Sequence, residues 1–161
     1  MVIRVVVERM PEIPSPDFYP KTAQVWHSWI IKKLRRGRSF YGEPFKPLSP
    51  ITMMSRRGRK AVPLNDTGRL SQSIQVIPFT EGIIMRTNVI YAKTHQYGAT
   101  IRPRNAKWLW IPINPIARYR GYVKGARFIK LTEVEIPARP FFPLLDRDLP
   151  KGLIKLWIKA L

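Results

Sequence analysis

Sixteen prolines are spread through this chain, from Pro11 to Pro150. Each fixes φ near −65° and lacks a backbone N–H, so a proline is tolerated at a helix start, a turn or a sheet edge, and rarely elsewhere. Usage is about twice the average of ~5%. Because the prolines are dispersed rather than gathered in a tail, they point to a compact domain with many stiff turns. A disordered linker would concentrate them. At 161 residues and 45% apolar composition the chain suits one domain with a real core, spanning 1–161.

Between the prolines, periodicity outlines the elements. Residues 2–8 are β-branched and read as a strand. Pro11, Pro14 and Pro16 follow as a stiff link. Asp17 is placed to cap a helix on which Phe18, Thr22, Val25, Trp26, Trp29, Ile30 and Leu34 recur at helical spacing, ending near Gly37. Ser49 caps a short helix with Pro50 at its first position. Asp66 or Thr67 caps another, running to about Ser73. Residues 74–80 and 83–89 read as a hairpin turning at Glu81-Gly82. Residues 91–97 suit one or two helical turns, closed by Gly98.

Further on, Trp108 to Ile113 reads as an edge strand. Trp108 and Trp110 share a face by strand spacing, which favours burying both together, in the core or at a subunit interface. Residues 126–136 read as one long strand. Asp148 caps a C-terminal helix with Leu149, Leu153, Leu156, Trp157 and Ala160 on its apolar face. The class is α+β: a mainly antiparallel sheet packed with an N-terminal amphipathic helix, one or two short helices and a C-terminal helix. Two segments, 42–60 and 115–125, read as exposed basic loops.

Charge narrows the partners. Lys and Arg number 29 against 10 acids, a net +19. Such an excess repels itself and suits a polyanionic neighbour: nucleic acid, an acidic protein surface or a membrane face. The candidate contacts are Arg56, Arg57, Arg59, Lys60, Arg102, Arg104, Lys107, Arg118, Arg120 and Lys124. Interleaved Trp108, Trp110, Tyr119 and Tyr122 keep a single-strand-binding reading open. The C-terminal helix is basic and amphipathic, but the same pattern closes the core of many small domains. The chain shows no apolar run of the ~18 residues a membrane span needs, and no secretory pattern at its start, so a cytosolic product is expected.

Little in the sequence points to catalysis. There is no cysteine, and the two histidines, His27 and His95, lie far apart. Glu133 and Glu135 would lie side by side on a strand, where they balance nearby Arg127 and Lys130. His95 has no serine, cysteine or acid within its own motif. No phosphate-binding glycine loop is present. No cofactor, no metal and no enzyme activity are expected.

Three blocks carry a different signal. The first is Thr67-Gly68-Arg69-Leu70-Ser71-Gln72-Ser73-Ile74, preceded by Pro47-Leu48-Ser49-Pro50 and Thr52. The second, Tyr91-Ala92-Lys93-Thr94-His95-Gln96-Tyr97-Gly98, leads into a stretch with Asn105-Ala106-Lys107 and Ile111-Pro112. The third is Ile136-Pro137-Ala138-Arg139-Pro140-Phe141. In this order they resemble the virion-morphogenesis family of tailed phages, over roughly residues 40–149. Two features depart from the commoner pattern: the basic insert 115–125, and Phe142-Pro143 in place of leucine-glycine.

The resemblance implies a structural protein that completes the tail or joins tail to head, in a phage or prophage, by ring-type self-association. It implies tail or neck proteins as partners, proximity to DNA, no membrane, and a place in the virion after assembly in the host cytoplasm. It also assigns scaffold roles to Thr67, Gly68, Leu70, Ser73, Tyr91, His95, Gln96, Gly98, Pro137, Arg139, Pro140 and Phe141.

Overall fold

A computed structural model describes residues 1–6, 16–56, 62–80, 82–144 and 147–160. The elements follow as β1 (Val2–Val6), α1 (Phe18–Arg35), α2 (Pro50–Ser55), α3 (Arg69–Ser73), β2 (Gln75–Phe79), β3 (Gly82–Arg86), α4 (Ala92–Tyr97), β4 (Ala99–Ile101), β5 (Leu109–Pro112), α5 (Pro115–Arg120), β6 (Phe128–Leu131), β7 (Val134–Ile136) and α6 (Lys151–Ala160). The fold is α+β. Its strands form a three-stranded antiparallel sheet ordered β1-β3-β2, and two separate pairs, β4-β7 and β5-β6.

The core lies between α1 and the three-stranded sheet. β3 is central, and Ile83 and Met85, two residues apart, put one face inward. Register places Ile3 and Val76 beside Met85 on that same face. Across from them α1 buries Phe18, Thr22, Ala23, Trp26, Trp29, Ile30 and Leu34, the stripe that its spacing predicts except that Val25 is only half-buried. Pro20 sits in the first turn, where no N–H is missed. Phe40, Phe141, Phe142 and Leu153 complete the cluster.

Among the described residues Trp26 Nε1 is buried in this core without a hydrogen-bond partner, while other polar groups there are paired. Trp29 Nε1 donates to Phe40 O at 2.8 Å. Thr22 Oγ1 donates to Phe18 O at 2.7 Å and accepts from Trp157 Nε1 at 2.7 Å, which ties α6 to α1.

Several expectations change in the fold. Residues 126–136 are two strands in different sheets, separated at Thr132-Glu133. Glu133 is therefore not beside Glu135 on a strand; Arg102 Nη2 reaches it at 2.9 Å, so its balancing cation is Arg102. Asp66 and Thr67 do not cap α3. Gly68 stands at the cap with φ +78°, because the Asp66 carboxylate is drawn to guanidinium groups. α6 begins at Lys151 rather than at Asp148, with Pro150 O accepting from Leu153 and Ile154 N–H. On that helix Leu153 is buried and Trp157 half-buried, but Leu156 is exposed. Ser49 caps α2 as expected, accepting from Thr52 N–H.

Of the two basic segments, residues 42–56 and 115–125 are described and hold helical turns, while 57–60 lie outside the described residues. Residues 38–45 fold back on themselves through Ser39 N–H to Glu43 O at 2.7 Å and Phe45 N–H to Gly37 O at 2.9 Å. α2 follows, and Ser55 and Arg56 are buried. Residues 115–120 form α5, then a turn. Asn114 fastens both: Oδ1 accepts from Ala117 N–H at 3.0 Å and Arg127 N–H at 3.2 Å, while Nδ2 donates to Gly125 O at 2.8 Å.

Candidate functional site: a motif-lined cleft and an aromatic arm

The three sequence blocks, far apart in the chain, meet in space. Gln96, on α4, is buried and clamps the third block. Its Oε1 accepts from Phe141 and Phe142 N–H, each at 3.1 Å, and its Nε2 donates to Phe142 O at 3.0 Å. Gly98 ends α4 with φ +77°, and a Cβ there would lie 3.0 Å from both Ala138 N and Ile136 O. Only glycine lets these two backbones approach so closely. His95 O accepts from Arg139 N–H at 2.7 Å. Phe40 N–H donates to Pro140 O at 2.9 Å. In the first block Ser73 Oγ donates to Leu70 O at 2.8 Å and lies 2.6 Å from Thr87 Oγ1, tying α3 to the end of β3. Leu70 and Phe141 are core residues.

Arg139 is a buried brace. Its Nε and Nη2 donate to Lys46 O and Pro47 O, each at 3.1 Å. Burial, and then the nearby Arg56 charge, push its pKa below the usual arginine value. His95 is likewise held below the ordinary histidine value, first by burial and then by Arg139. Its ring meets Tyr91 edge-on at 5.6 Å. Nδ1 is buried with no hydrogen-bond partner among the described residues.

These braces wall a cleft of about 880 Å³. From the motifs it takes Thr67, Gly68, Leu70, Tyr91, His95, Ile136, Pro137 and Arg139, with Pro47, Leu48, Ser49 and Thr52 from the segment before them. Arg56, Asp66, Arg69, Arg118, Val134 and Glu135 also line it. Asp66 bridges two elements: Arg118 Nη2 is 3.2 Å from its Oδ2, and Arg56 Nε is 4.0 Å from its Oδ1. Arg56 also donates to Val62 O at 2.9 Å, and Arg118 to Ser55 Oγ at 3.3 Å. Two candidate surface contacts, Arg56 and Arg118, are therefore cleft residues, and Arg56 is a buried one. Arg69, Asp66 and Glu135 carry no motif signal of their own; the run of motif residues around Arg69 is the one hint the sequence held.

The second feature is an arm. Among the described residues, none from 99 to 136 joins the main core cluster. In β5-β6, register sets Trp110 opposite Lys130 and Pro112 opposite Phe128, on one face. Tyr122 stacks on Phe128 at 4.4 Å and meets Trp110 edge-on at 6.5 Å. Lys130 lies over Trp110 at 4.8 Å, and Lys107 over Trp108 at 5.4 Å. Trp108, Trp110 and Tyr122 are 37%, 48% and 74% exposed. The two tryptophans are not buried together within the chain's own core, because nothing among the described residues covers that face.

Of the other basic candidates, Arg104, Lys107, Arg120 and Lys124 are exposed on this arm, and Arg102 is paired with Glu133. Arg57, Arg59 and Lys60 lie outside the described residues.

Among the described residues no cluster of His, Asp or Glu suits a metal ion, and no helix is long and apolar enough to cross a membrane. No curated protein and no solved structure matches the chain. The phage virion morphogenesis family model matches residues 21–151, which takes in α1 ahead of the motifs as well as the motifs themselves. With that match over most of its length, and the three motif blocks joined into one framework, the chain belongs to the phage virion morphogenesis family and has a structural, assembly role in a phage particle.

Proposed function

We propose that the chain is a non-enzymatic subunit that completes the tail of a tailed phage or prophage, or joins tail to head, through ring-type self-association with tail or neck proteins as neighbours. The observation that carries this reading is the arm of residues 99–136. It exposes apolar side chains and offers the edges of two-stranded sheets, yet among the described residues none of it joins the main core cluster. Surfaces of that kind are costly on a free monomer and are put to use in assemblies. A cyclic arrangement closes such head-to-tail contacts without leaving an open end.

Because each copy carries +19, closing a ring brings like charges together, and acidic neighbours offset them. The test is electron microscopy of assembled particles together with light scattering of the purified chain across concentration. The expected result is a ring at the tail end or neck, with assembly in the host cytoplasm before incorporation. Absence from purified virions, with tails and heads still joining, refutes it.

One observation favours a second reading, a nucleic-acid-binding module. The Trp110, Tyr122 and Phe128 cluster, with Lys130 over Trp110 and Lys107 over the neighbouring Trp108, is a stacking platform in a basic setting. That reading requires tight DNA binding by the isolated chain, weakening roughly a thousandfold between low and moderate salt for several phosphate contacts. Weak, salt-insensitive binding removes it.

A further inference from the structure

We propose that the cleft takes up an extended, acidic segment of a partner protein, which adds as a strand to the free edge of β7. Three consecutive residues of β7, Val134, Glu135 and Ile136, all line the cleft. Successive side chains of a strand point to opposite faces, so a strand that presents three in a row meets the cleft along its edge. Among the described residues β7 pairs only with β4, which leaves its second edge of N–H and C=O groups toward that space. An extended segment satisfies those groups by strand addition, and alternate side chains then enter the cleft. Pro137, with no N–H, ends the pairing after β7 and keeps the added strand short.

The lining decides the chemistry of the occupant. Four arginines, Arg56, Arg69, Arg118 and Arg139, outnumber two carboxylates, Asp66 and Glu135, in a lining that includes Leu48, Leu70 and Val134. Arg56 and Arg118 hold Asp66 and Arg139 holds two backbone carbonyls, so Arg69 is the contact the test addresses. Guanidinium groups recognise carboxylates by charge-assisted hydrogen bonds. A segment alternating acidic and apolar residues matches both. A second copy of this chain matches poorly, since its 29 cations outnumber its 10 acids. The volume of about 880 Å³ is in the range that holds several side chains.

This inference rests on the assembly reading for the existence of a partner, and its test works without it. The purified chain is titrated with a short peptide alternating Glu and Val, and with its Lys-Val counterpart, while backbone amides are followed by NMR. The acidic peptide is expected to shift Val134, Glu135 and Ile136, and the basic one to leave them unmoved. Arg69→Glu, an exposed change at the start of α3, is expected to weaken the acidic peptide roughly three- to tenfold with an unchanged unfolding midpoint.

Shifts confined to residues 99–131, equal shifts with both peptides, or none, overturn the proposal. A photocrosslinker at residue 135 in assembled particles is expected to capture an acidic segment of another virion protein; capture of only a second copy or of DNA also overturns it. If the chain is absent from particles while the purified protein still binds the acidic peptide at β7, the assembly reading fails and this one stands.

Discussion

Replacing Gln96 by Met tests whether the second and third motif blocks are held together by one amide. The side chain is 1% exposed and serves three backbone groups: the N–H of Phe141 and of Phe142 and the C=O of Phe142. Met fills nearly the same volume, so little cavity cost enters. What it removes is hydrogen bonding. Leaving a buried backbone group without a partner costs about 1–3 kcal/mol. Three groups, two of which share one acceptor atom, put the loss at about 3–6 kcal/mol, against a total stability on the order of 5–15 kcal/mol.

The assay is urea unfolding followed by tryptophan fluorescence. With a slope of about 2 kcal/mol per molar, a 4 kcal/mol loss moves the midpoint down by roughly 2 M. Gln24→Met, an exposed position on α1, serves as control and should stay within about 0.5 kcal/mol. Hydrogen exchange at Phe141 and Phe142 gives a local readout, since both amides should lose protection in the variant. A Gln96→Met loss below about 1 kcal/mol, with both amides still protected, would refute the clamp.

Three further outcomes follow from the same framework. Gly98→Ala combines a positive φ with a Cβ 3.0 Å from two backbone atoms, and should cost about 2–4 kcal/mol. Gly121→Ala, at φ +73° but with nothing within 4 Å, should cost only about 1–2 kcal/mol, and thermal unfolding of the two variants ranks them. His95 has a folded-state pKa below its ordinary 6.5, so the unfolded chain binds the proton first as pH falls. The stability is full above pH 6.5 and is lost as pH drops toward and through the folded-state value; His95→Gln should flatten that decline in urea midpoints measured from pH 7 downward. Trp110→Ala, at a half-exposed position, should change stability by less than about 1 kcal/mol while lowering single-stranded DNA affinity roughly tenfold if the arm is a stacking platform. Fluorescence-detected titration at two salt concentrations checks it.

What the sequence revealed depended on how local the cause was. α1 was legible because its stripe obeys a single period over five turns, and α2 because Ser49 and Pro50 are a start signal in themselves. The cap at Asp66 was misread for a non-local reason. A carboxylate near a helix start favours the helix N–H groups only until a guanidinium competes, and Arg118 lies 52 positions along the chain. The division of residues 126–136 was hidden for a similar reason. Each half is a good strand, and only the partners, β5 for one and β4 for the other, show that the pairing changes at Thr132-Glu133. For the tryptophans of the arm, strand spacing gives a shared face without saying whether this chain or a neighbouring subunit covers it. The motif blocks were legible as a set, but the cleft they wall was not. It exists only because Gln96, Gly98 and Arg139 bring residues 136–142 against α4 and against Lys46-Pro47.

The positive charge must itself be divided before it is used to argue for a partner. Arginines are not all surface cations in this fold. Arg139 spends its guanidinium on two carbonyls, and Arg56 donates to a third while buried beside Asp66. Arg38 donates to Gly42 O at 2.8 Å, and Arg147 takes Glu43 at 2.6 Å while lying over the Tyr41 ring. These groups serve as multi-donor braces in a chain whose prolines leave many carbonyls outside helices and sheets, a task for which a rigid guanidinium fork is suited. Among the described residues exposed cations stand on the arm, on α6 at Lys151, Lys155 and Lys159, and on the last turn of α1, where Lys32 and Arg35 complement the negative end of the helix dipole. A guanidinium bonded to a carbonyl keeps its charge, so the net +19 still sets the long-range field, but only outward cations can touch a partner: charge reversals on the arm and at Arg69 probe partners, whereas those at Arg56 or Arg139 probe folding.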